Sequence, residues 1–366
     1  MRLLAINLEN FRNIHSANLT FSTDRILFLG KNGQGKSNLL EAIGLSASLR
    51  SFRKHSMEGL VRSGEGEGKL FFRFLLDNGE ESEVLLGLSA KGKKVLEVDG
   101  EPVRRLGDYL GGFPAVCLSS RDFRLVRESP SDRRKWLDLL LSSCDPAYLS
   151  HLQKYHRAVR ERNALLKVGA GTAELVAFEA LLGPSAHYLF QARSRAIAEL
   201  LPSIGQFYST LSRNEEIATI RYRPDTSLDD SSAWLEFFAR QRARDYQFGN
   251  TRHGPHRDDF DILLNGADAR NYASEGQQRG LILAIRLAEY VHLHKQLRRL
   301  PLLLADDVLS ELDPSRRENF RKLLPPQAQV FASGTTYPSE QDSFIWETFR
   351  VEAGCFAAES QNSKNG

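Results

Sequence analysis

The sequence predicts an α/β protein in two parts: a lobe that joins a mixed β-sheet to an α/β core, and a helical lobe inserted into it. Three observations predict this. Residues 26–43 pass from an apolar run through a glycine-rich loop into helical spacing. Near residue 120 the character changes from strand-like to helical. After residue 246 the mixed pattern returns, with an apolar run that ends in two acids, Asp306 and Asp307. The expected boundaries are 1–119 with 246–366 for the sheet-bearing lobe and 120–245 for the insertion.

Taken in order, Leu4, Ile6 and Leu8 alternate with their neighbours, as do Ala17, Leu19 and Phe21, so the chain opens with two strands. Strands are expected at Lys69–Leu76, Glu81–Ser89 and Lys94–Val98, separated by the turn formers Asp77-Asn78-Gly79 and Ala90-Lys91-Gly92. Phe113–Leu118 suits a buried strand. Ser129-Pro130-Ser131-Asp132 reads as an N-cap, a proline at the first helical position and a capping box. Asp145-Pro146 opens a second helix in the same way. Helix continues to about residue 201, broken near Gly169-Ala170-Gly171, and 202–245 is mixed. Phe260–Leu264 is a strand, and Gly276–Leu297 a helix with Leu281, Ile285, Ala288 and Val291 on one face. Pro301–Asp306 and Gln329–Ala332 are further strands. The tail after Gly354 is small and polar, with a disordered end expected.

Bulk properties exclude several classes. Hydrophobic and charged contents of 41% and 26% are those of a globular protein. No apolar run reaches the eighteen or so residues of a membrane span, and nothing resembles a signal peptide. Cys117, Cys144 and Cys355 form no C-x-x-C pair, which argues against a disulfide framework or zinc site and fits a reducing cytoplasm. A net charge of +3 is too small to argue for nucleic acid by itself.

The chemistry is concentrated in the glycine loop. Gly30, Gly35, Lys36 and Ser37 meet G-x-x-x-x-G-K-S, between the apolar run Ile26–Leu29 and the helical Leu39, Leu40, Ala42 and Ile43. Gly30, Lys31, Asn32, Gly33, Gln34, Gly35, Lys36, Ser37 and Asn38 are the expected phosphate cradle. Its backbone N–H groups and the helix start favour an anion. Lys36 reaches the β- and γ-phosphates, and the Ser37 hydroxyl suits Mg²⁺. Leu302–Ala305 then delivers two carboxylates to the sheet edge where ligands bind. Asp306 suits Mg²⁺ and Asp307 suits activation of the attacking water. Ser310-Glu311-Leu312-Asp313 follows. Upstream, Ser274-Glu275-Gly276-Gln277-Gln278-Arg279 puts a serine and a glycine at a helix start, a second anion site.

That last block, placed just before the acidic strand, resembles the signature motif of the ABC-type ATPase superfamily. The resemblance implies an ABC-type ATPase head without a long coiled coil, and a γ-phosphate clamped between the phosphate loop of one copy and Ser274, Gly276 and Gln277 of another. Within the superfamily the chain is similar to the SMC and DNA-repair branch, and most closely to the RecF family. Leu8-Glu9-Asn10-Phe11-Arg12-Asn13 resembles its opening strand and turn, which implies that Arg12 approaches the nucleotide. Ser51-Phe52-Arg53, Pro130-x-x-Arg133-Arg134, Tyr155, Arg162-Asn163-x-Leu165-Leu166-Lys167 and Thr251-Arg252-x-Gly254-Pro255-His256-Arg257-Asp258-Asp259 carry the rest. The insertion of about 125 residues without sustained heptads fits this family rather than SMC proteins. Two departures stand out: Ser120-Arg121-Asp122 where the family has Pro-Glu-Asp, and Ser333-Gly334-Thr335-Thr336 where transporter-type relatives have a histidine.

The resemblance implies ATP and Mg²⁺ as cofactors, an ATP-dependent homodimer and a weak DNA-stimulated ATPase. Asp307, one methylene shorter than the glutamate of many relatives, points to slow hydrolysis. It further implies DNA as partner, double-stranded and at single-strand/duplex junctions, with RecR and RecO in loading recombinase. Basic clusters fit that reading: Lys154, Arg157 and Arg160; Arg133, Arg134 and Lys135; Arg50, Arg53 and Lys54. Arg133 and Arg134 equally suit pairing with acids between lobes. With no base-reading element in view, binding should be sequence-independent and steeply salt-dependent. The alternatives are a soluble ATPase subunit of a membrane transporter, which needs a coupling glutamine loop and a downstream histidine, and a non-hydrolysing ATP-gated scaffold.

Overall fold

The computed structural model describes residues 1–53, 59–212, 216–308, 314–337 and 345–359; Lys54 and the run Ser310–Asp313 lie outside them. The chain divides into two compact units, Met1–Asp122 with Arg286–Gly366, and Phe123–Ile285.

The first unit opens with β1 (Arg2–Phe11), β2 (Ile14–Thr20) and the fully buried β3 (Arg25–Leu29), which feeds α1 (Lys36–Ser48). β4 (Glu67–Leu75), β5 (Glu81–Ser89), β6 (Lys94–Val98), β7 (Glu101–Pro102), α2 (Leu106–Tyr109) and β8 (Ala115–Ser119) follow. An antiparallel sheet runs β2-β1-β4-β5-β6-β7. The expected alternation in β1 fails at one place. The pairing with β4 slips between Leu3 and Ala5, so Leu3 is fully buried while Leu4 is only half-buried. An extra residue in one strand reverses the faces before it.

The second unit contains α3 (Phe123–Arg127), α4 (Pro130–Cys144), α5 (Pro146–Val168), α6 (Thr172–Ser212), β9 (Ala218–Arg223) and α7 (Ser231–Phe248). β10 (Asp259–Leu264), β11 (Ala267–Asp268), α8 (Ala269–Tyr272) and the start of α9 (Glu275–Leu297) complete it. Residues 246–285, expected in the sheet-bearing lobe, therefore group with the helices. The reason is pairing: β10 runs antiparallel to β9 from Asp259↔Arg223 to Leu264↔Ala218. Ser129 is the N-cap of α4, with Pro130 at the first position, but its hydroxyl makes no capping bond to the backbone. It meets Ser131 Oγ at 2.8 Å instead. Asp145 does cap α5, accepting from Ala147 N at 2.8 Å. Helix α6 outruns the end expected at residue 201, passing through Pro184 and Pro202. A proline removes one backbone bond of an interior turn. Here the buried stripe Leu200, Ile204, Tyr208 and Leu211 carries the helix onward. On α9, Leu281, Ile285 and Ala288 are buried but Val291 is 39% exposed, so the apolar face moves on to Leu293.

Buried charge organises this unit. Arg162, fully buried, donates to Asp245 Oδ2 at 2.6 Å, to Glu179 Oε1 at 3.1 Å and to Thr251 Oγ1 at 2.8 Å. Arg242 shares Glu179. Arg193 donates to Asp258 Oδ2 at 2.7 Å, to Asp138 Oδ1 at 2.8 Å and to the Pro255 carbonyl at 2.6 Å. Arg133, 2% exposed, grips both oxygens of Asp259, and Arg134 donates to the Asp258 carbonyl at 2.7 Å. Arg133 and Arg134 are thus structural, and their partners, the Asp259 carboxylate and the Asp258 carbonyl, lie in the same unit rather than between lobes; Lys135 is exposed. The most family-specific block, Thr251–Asp259, turns out to be the hub of these contacts.

His256 within that block gives a pH prediction. Its Nε2 donates to the Thr251 carbonyl at 2.9 Å, so Nδ1 accepts from the Tyr155 hydroxyl at 2.8 Å. Burial pushes its pKa down from 6.5 to about 4. Above pH 6.5 folded and unfolded chains are equally unprotonated there. Between pH 6.5 and 4 only the unfolded chain takes the proton, so stability falls with pH, by about 3 kcal/mol in total. Urea unfolding at several pH values should show His256→Gln losing correspondingly less than the native chain over this window. An equal loss in both would refute the assignment.

The chain returns to the first unit with β12 (Leu302–Asp306), α10 (Pro314–Leu323), β13 (Val330–Gly334), β14 (Glu347–Glu352) and β15 (Cys355–Ala358). The residues just after Gly354, expected to be a polar tail, form this last strand. Its hairpin with β14 extends the second sheet, ordered β15-β14-β3-β13-β12-β8, in which all pairs but β14–β15 are parallel. Phe21, Phe28, Phe331 and Phe349 pack edge-on, stacked and tilted against one another in the unit's core. Among the described residues no helix is long and apolar enough to cross a membrane.

Candidate functional site

The C-terminal edge of the second sheet assembles the site, because β13 lies between β3 and β12. β3 leads into the glycine loop, β12 ends at Asp306, and β13 brings Ser333 between them. Lys31, Asn32 and Gly33 are exposed, while Gly35 and Lys36 are buried. The Lys36 ammonium donates to the Gly30 carbonyl at 2.6 Å and the Lys31 carbonyl at 3.0 Å, so it sits inside the loop. Gly30 is required by crowding: a Cβ there would lie 2.3 Å from the Val351 carbonyl oxygen of β14. Gly35 is the N-cap of α1 in left-handed geometry and accepts from Asn38 N and Leu39 N, both at 3.0 Å.

The loop is braced from three parts of the chain. Asn13 donates to the Gln34 carbonyl at 3.2 Å and accepts from Asn38 Nδ2 at 2.7 Å. The β14–β15 turn holds Gln34 twice: Ala353 N donates to its Oε1 at 2.7 Å and Gly354 N to its carbonyl at 2.8 Å. Arg53 donates to Asn38 Oδ1. Expected in a basic cluster facing DNA, Arg53 instead serves the loop and pairs with the buried Glu41 at 3.5 Å. Arg12 donates to the same carboxylate at 2.7 and 3.0 Å and to the Gly59 carbonyl at 2.7 Å. Its guanidinium is committed to Glu41, and it is the next residue, Asn13, that touches the loop.

The acids are held by hydroxyls. Ser333 Oγ accepts from Asp307 N at 2.8 Å and lies 3.0 Å from Asp306 Oδ1 and 3.3 Å from Asp307 Oδ1. Ser37 also bonds the Asp306 side chain. Burial raises the Asp306 pKa; the charge of Asp307 adds to this, while Ser37, Ser333 and Arg53 oppose it. A carboxylate short of positive compensation, beside a hydroxyl, suits a divalent cation that keeps several waters and takes phosphate oxygens for the rest. Ser37 and Asp306 thus fit Mg²⁺. Asp307 adopts φ 57°, an uncommon conformation for a residue with a side chain. Asp122, in the short turn Ser120–Asp122, accepts from Ser119 N at 2.9 Å and from Arg286 at 2.6 Å.

In the helical unit, Ser274 and Gln277 form a reciprocal cap at the start of α9. Ser274 Oγ accepts from Gln277 N at 3.3 Å, and Gln277 Oε1 accepts from Ser274 N at 2.6 Å. Ser274 is exposed and Gly276 half-buried. Sequence reasoning missed Asn13 and the Ala353–Gly354 turn as braces of the loop, and it gave Ser333 no place beside the acids. The Leu8–Asn13 resemblance contained Asn13 as a signal; the turn offered none beyond its glycine.

Comparison with known proteins agrees with this geometry. A family model described as the RecF/RecN/SMC N-terminal domain matches residues 2–337. DNA replication and repair protein RecF of Rippkaea orientalis is 35% identical, over 97% of this chain and 99% of its own length. That of Nostoc punctiforme is 36% identical over 94% and 95%. Among solved structures, the recombination mediator protein RecF with ATP, described in the RecFOR pathway, superposes with a TM-score of 0.89 at 32% identity, covering 98% of this chain and 97% of that one. An SMC head bound to the C-terminal winged-helix domain of ScpA, at 14% identity and a TM-score of 0.55, shares the fold. On this agreement of fold, loop and sequence, the chain belongs to the RecF family of DNA replication and repair proteins, in the wider RecF/RecN/SMC group.

Proposed function

We propose that this chain is an ATP-dependent DNA-binding protein of recombinational repair and replication. ATP joins two copies on duplex or gapped DNA, and slow hydrolysis resets them. One observation carries the reading. A glycine loop beside a Ser37–Asp306 pair that fits a divalent cation stands in one unit, and an exposed Ser274 caps a helix start suited to a second anion in the other.

Lys36 neutralises the β- and γ-phosphates from within the loop. Ser37 and Asp306 would hold Mg²⁺, which would supply positive charge against that developing on the phosphates. Asp307, fixed through its backbone by Ser333, orients the attacking water. Ser274, Gly276 and Gln277 of a second copy close over the γ-phosphate, so hydrolysis depends on dimerisation. The similar RecF–ATP structures support ATP as the nucleotide. Their description within the RecFOR pathway supports RecR and RecO as partners, with recombinase loading at single-strand gaps as the outcome. Lys154, Arg157 and Arg160 are exposed on one face of α5 and supply contacts to a phosphate backbone.

Sedimentation with a non-hydrolysable ATP analogue and duplex DNA tests the reading. The native chain should run as a dimer, and Ser274→Arg, which adds bulk and charge at the clamp, should stay monomeric. A native chain that stays monomeric overturns it.

A further inference from the structure

We infer that Glu216 is a positioning residue for the signature serine, and that helix α6 reaches Ser274 through it. The consequence rests on the ATP-clamp reading above, while the geometry lies entirely within the helical unit. Near the C-terminus of α6, Tyr208 is buried and its hydroxyl donates to Glu216 Oε2 at 2.6 Å. The other Glu216 oxygen accepts from Gln277 Nε2. Gln277 Oε1 in turn accepts from Ser274 N at 2.6 Å. The Tyr208 ring also packs on α9 itself: a Cβ on Gly280 would lie 3.1 Å from its Cε2.

The chemistry of a glutamine amide explains why an acceptor is needed there. The amide has a donor end and an acceptor end of nearly the same shape, and either can face Ser274. Ionised Glu216 accepts only, so it takes the NH₂ end and turns the carbonyl toward Ser274 N. Without it, the flipped amide would set NH₂ against N–H, two donors facing each other. With the correct orientation, Gln277 N reaches Ser274 Oγ, and the serine proton is directed away from its own helix toward an incoming phosphate. Tyr208 fixes the carboxylate to a 41-residue helix that packs along α5, the helix bearing Lys154, Arg157 and Arg160.

The full chain with Tyr208→Phe, Glu216→Ala and Glu216→Gln tests this. Tyr208→Phe keeps the ring on Gly280 and removes only the hydroxyl. Glu216→Gln keeps an acceptor for Gln277 and offers its own NH₂ to the Tyr208 oxygen. Without nucleotide, hydrogen exchange over residues 273–279 should quicken about tenfold in Tyr208→Phe and Glu216→Ala, the worth of one net hydrogen bond. It should stay near native in Glu216→Gln, with thermal midpoints reporting any global loss. With the ATP analogue, the dimer dissociation constant should rise about tenfold in the first two variants and recover in Glu216→Gln. Unaltered exchange in both breaking variants overturns the relay, and faster exchange with an unaltered dimer constant overturns the positioning role. A native chain that never dimerises instead sinks the clamp reading, and the exchange result then decides the relay alone.

Discussion

Replacing Lys36 by alanine is expected to lower ATP hydrolysis by about 10²–10³-fold, the scale on which one preorganised electrostatic donor contributes. Lys36 is 3% exposed, and its ammonium lies within 3.0 Å of two loop carbonyls. Its removal strips the loop of a positive charge that burial makes effective, and it leaves the Gly30 and Lys31 carbonyls without their donor. The loop would then be both less attractive to a triphosphate and less defined in shape. Lys36→Arg should not rescue it. A planar guanidinium cannot occupy a space that fits a compact ammonium between two carbonyls. Phosphate release at saturating ATP, with and without DNA, measures the effect. A loss smaller than about tenfold would show that the backbone amides and the cation alone carry the reaction.

The second large effect concerns stability. Arg162→Met should destabilise the helical unit by about 3–5 kcal/mol, the cost of breaking a buried ion pair from one side. Arg162 is fully buried, and it ties α5 to α6 through Glu179, to α7 through Asp245 and to the following loop through Thr251. Glu179 would keep Arg242, but Asp245 would be left 1% exposed with only the Arg252 N–H on its other oxygen. Adding Asp245→Leu should recover part of the loss, because the uncompensated charge goes with the carboxylate. Chemical denaturation of the single and double variants checks both statements. A single variant within about 1 kcal/mol of native would mean that water reaches Asp245 once the arginine is gone.

These two residues mark what could and could not be read beforehand. Lys36 was legible because its chemistry is local: glycines, lysine and serine at fixed spacing between a strand and a helix already define a phosphate site. Asp306 was legible for the same reason, as an acid at the end of an apolar strand. Arg133, Arg134 and Arg53 were not. A basic residue looks alike on a wet face and in a buried contact until its partner is located, and the Asp259 carboxylate, the Asp258 carbonyl and Glu41 are found only in three dimensions. The return boundary at residue 286 was hidden similarly. β10 resembles any half-buried strand, and only its pairing with β9 assigns it to the helical unit. The slip between Leu3 and Ala5 belongs to the same class, since a bulge is a property of two strands together.

The hairpin grip on the phosphate loop bears on biosynthesis. Val351, Ala353 and Gly354, which close on Gly30 and Gln34, leave the ribosome more than three hundred residues after them. At elongation speeds of about 5–20 residues per second, that interval is roughly 15–65 s. Throughout it, the nascent polypeptide carries its best-known motif but lacks the strands that shape it. A nascent chain that has not yet passed Gly354 therefore has the glycines and Lys36 without the hairpin that holds them, and fragments cut before β14 should capture a triphosphate poorly.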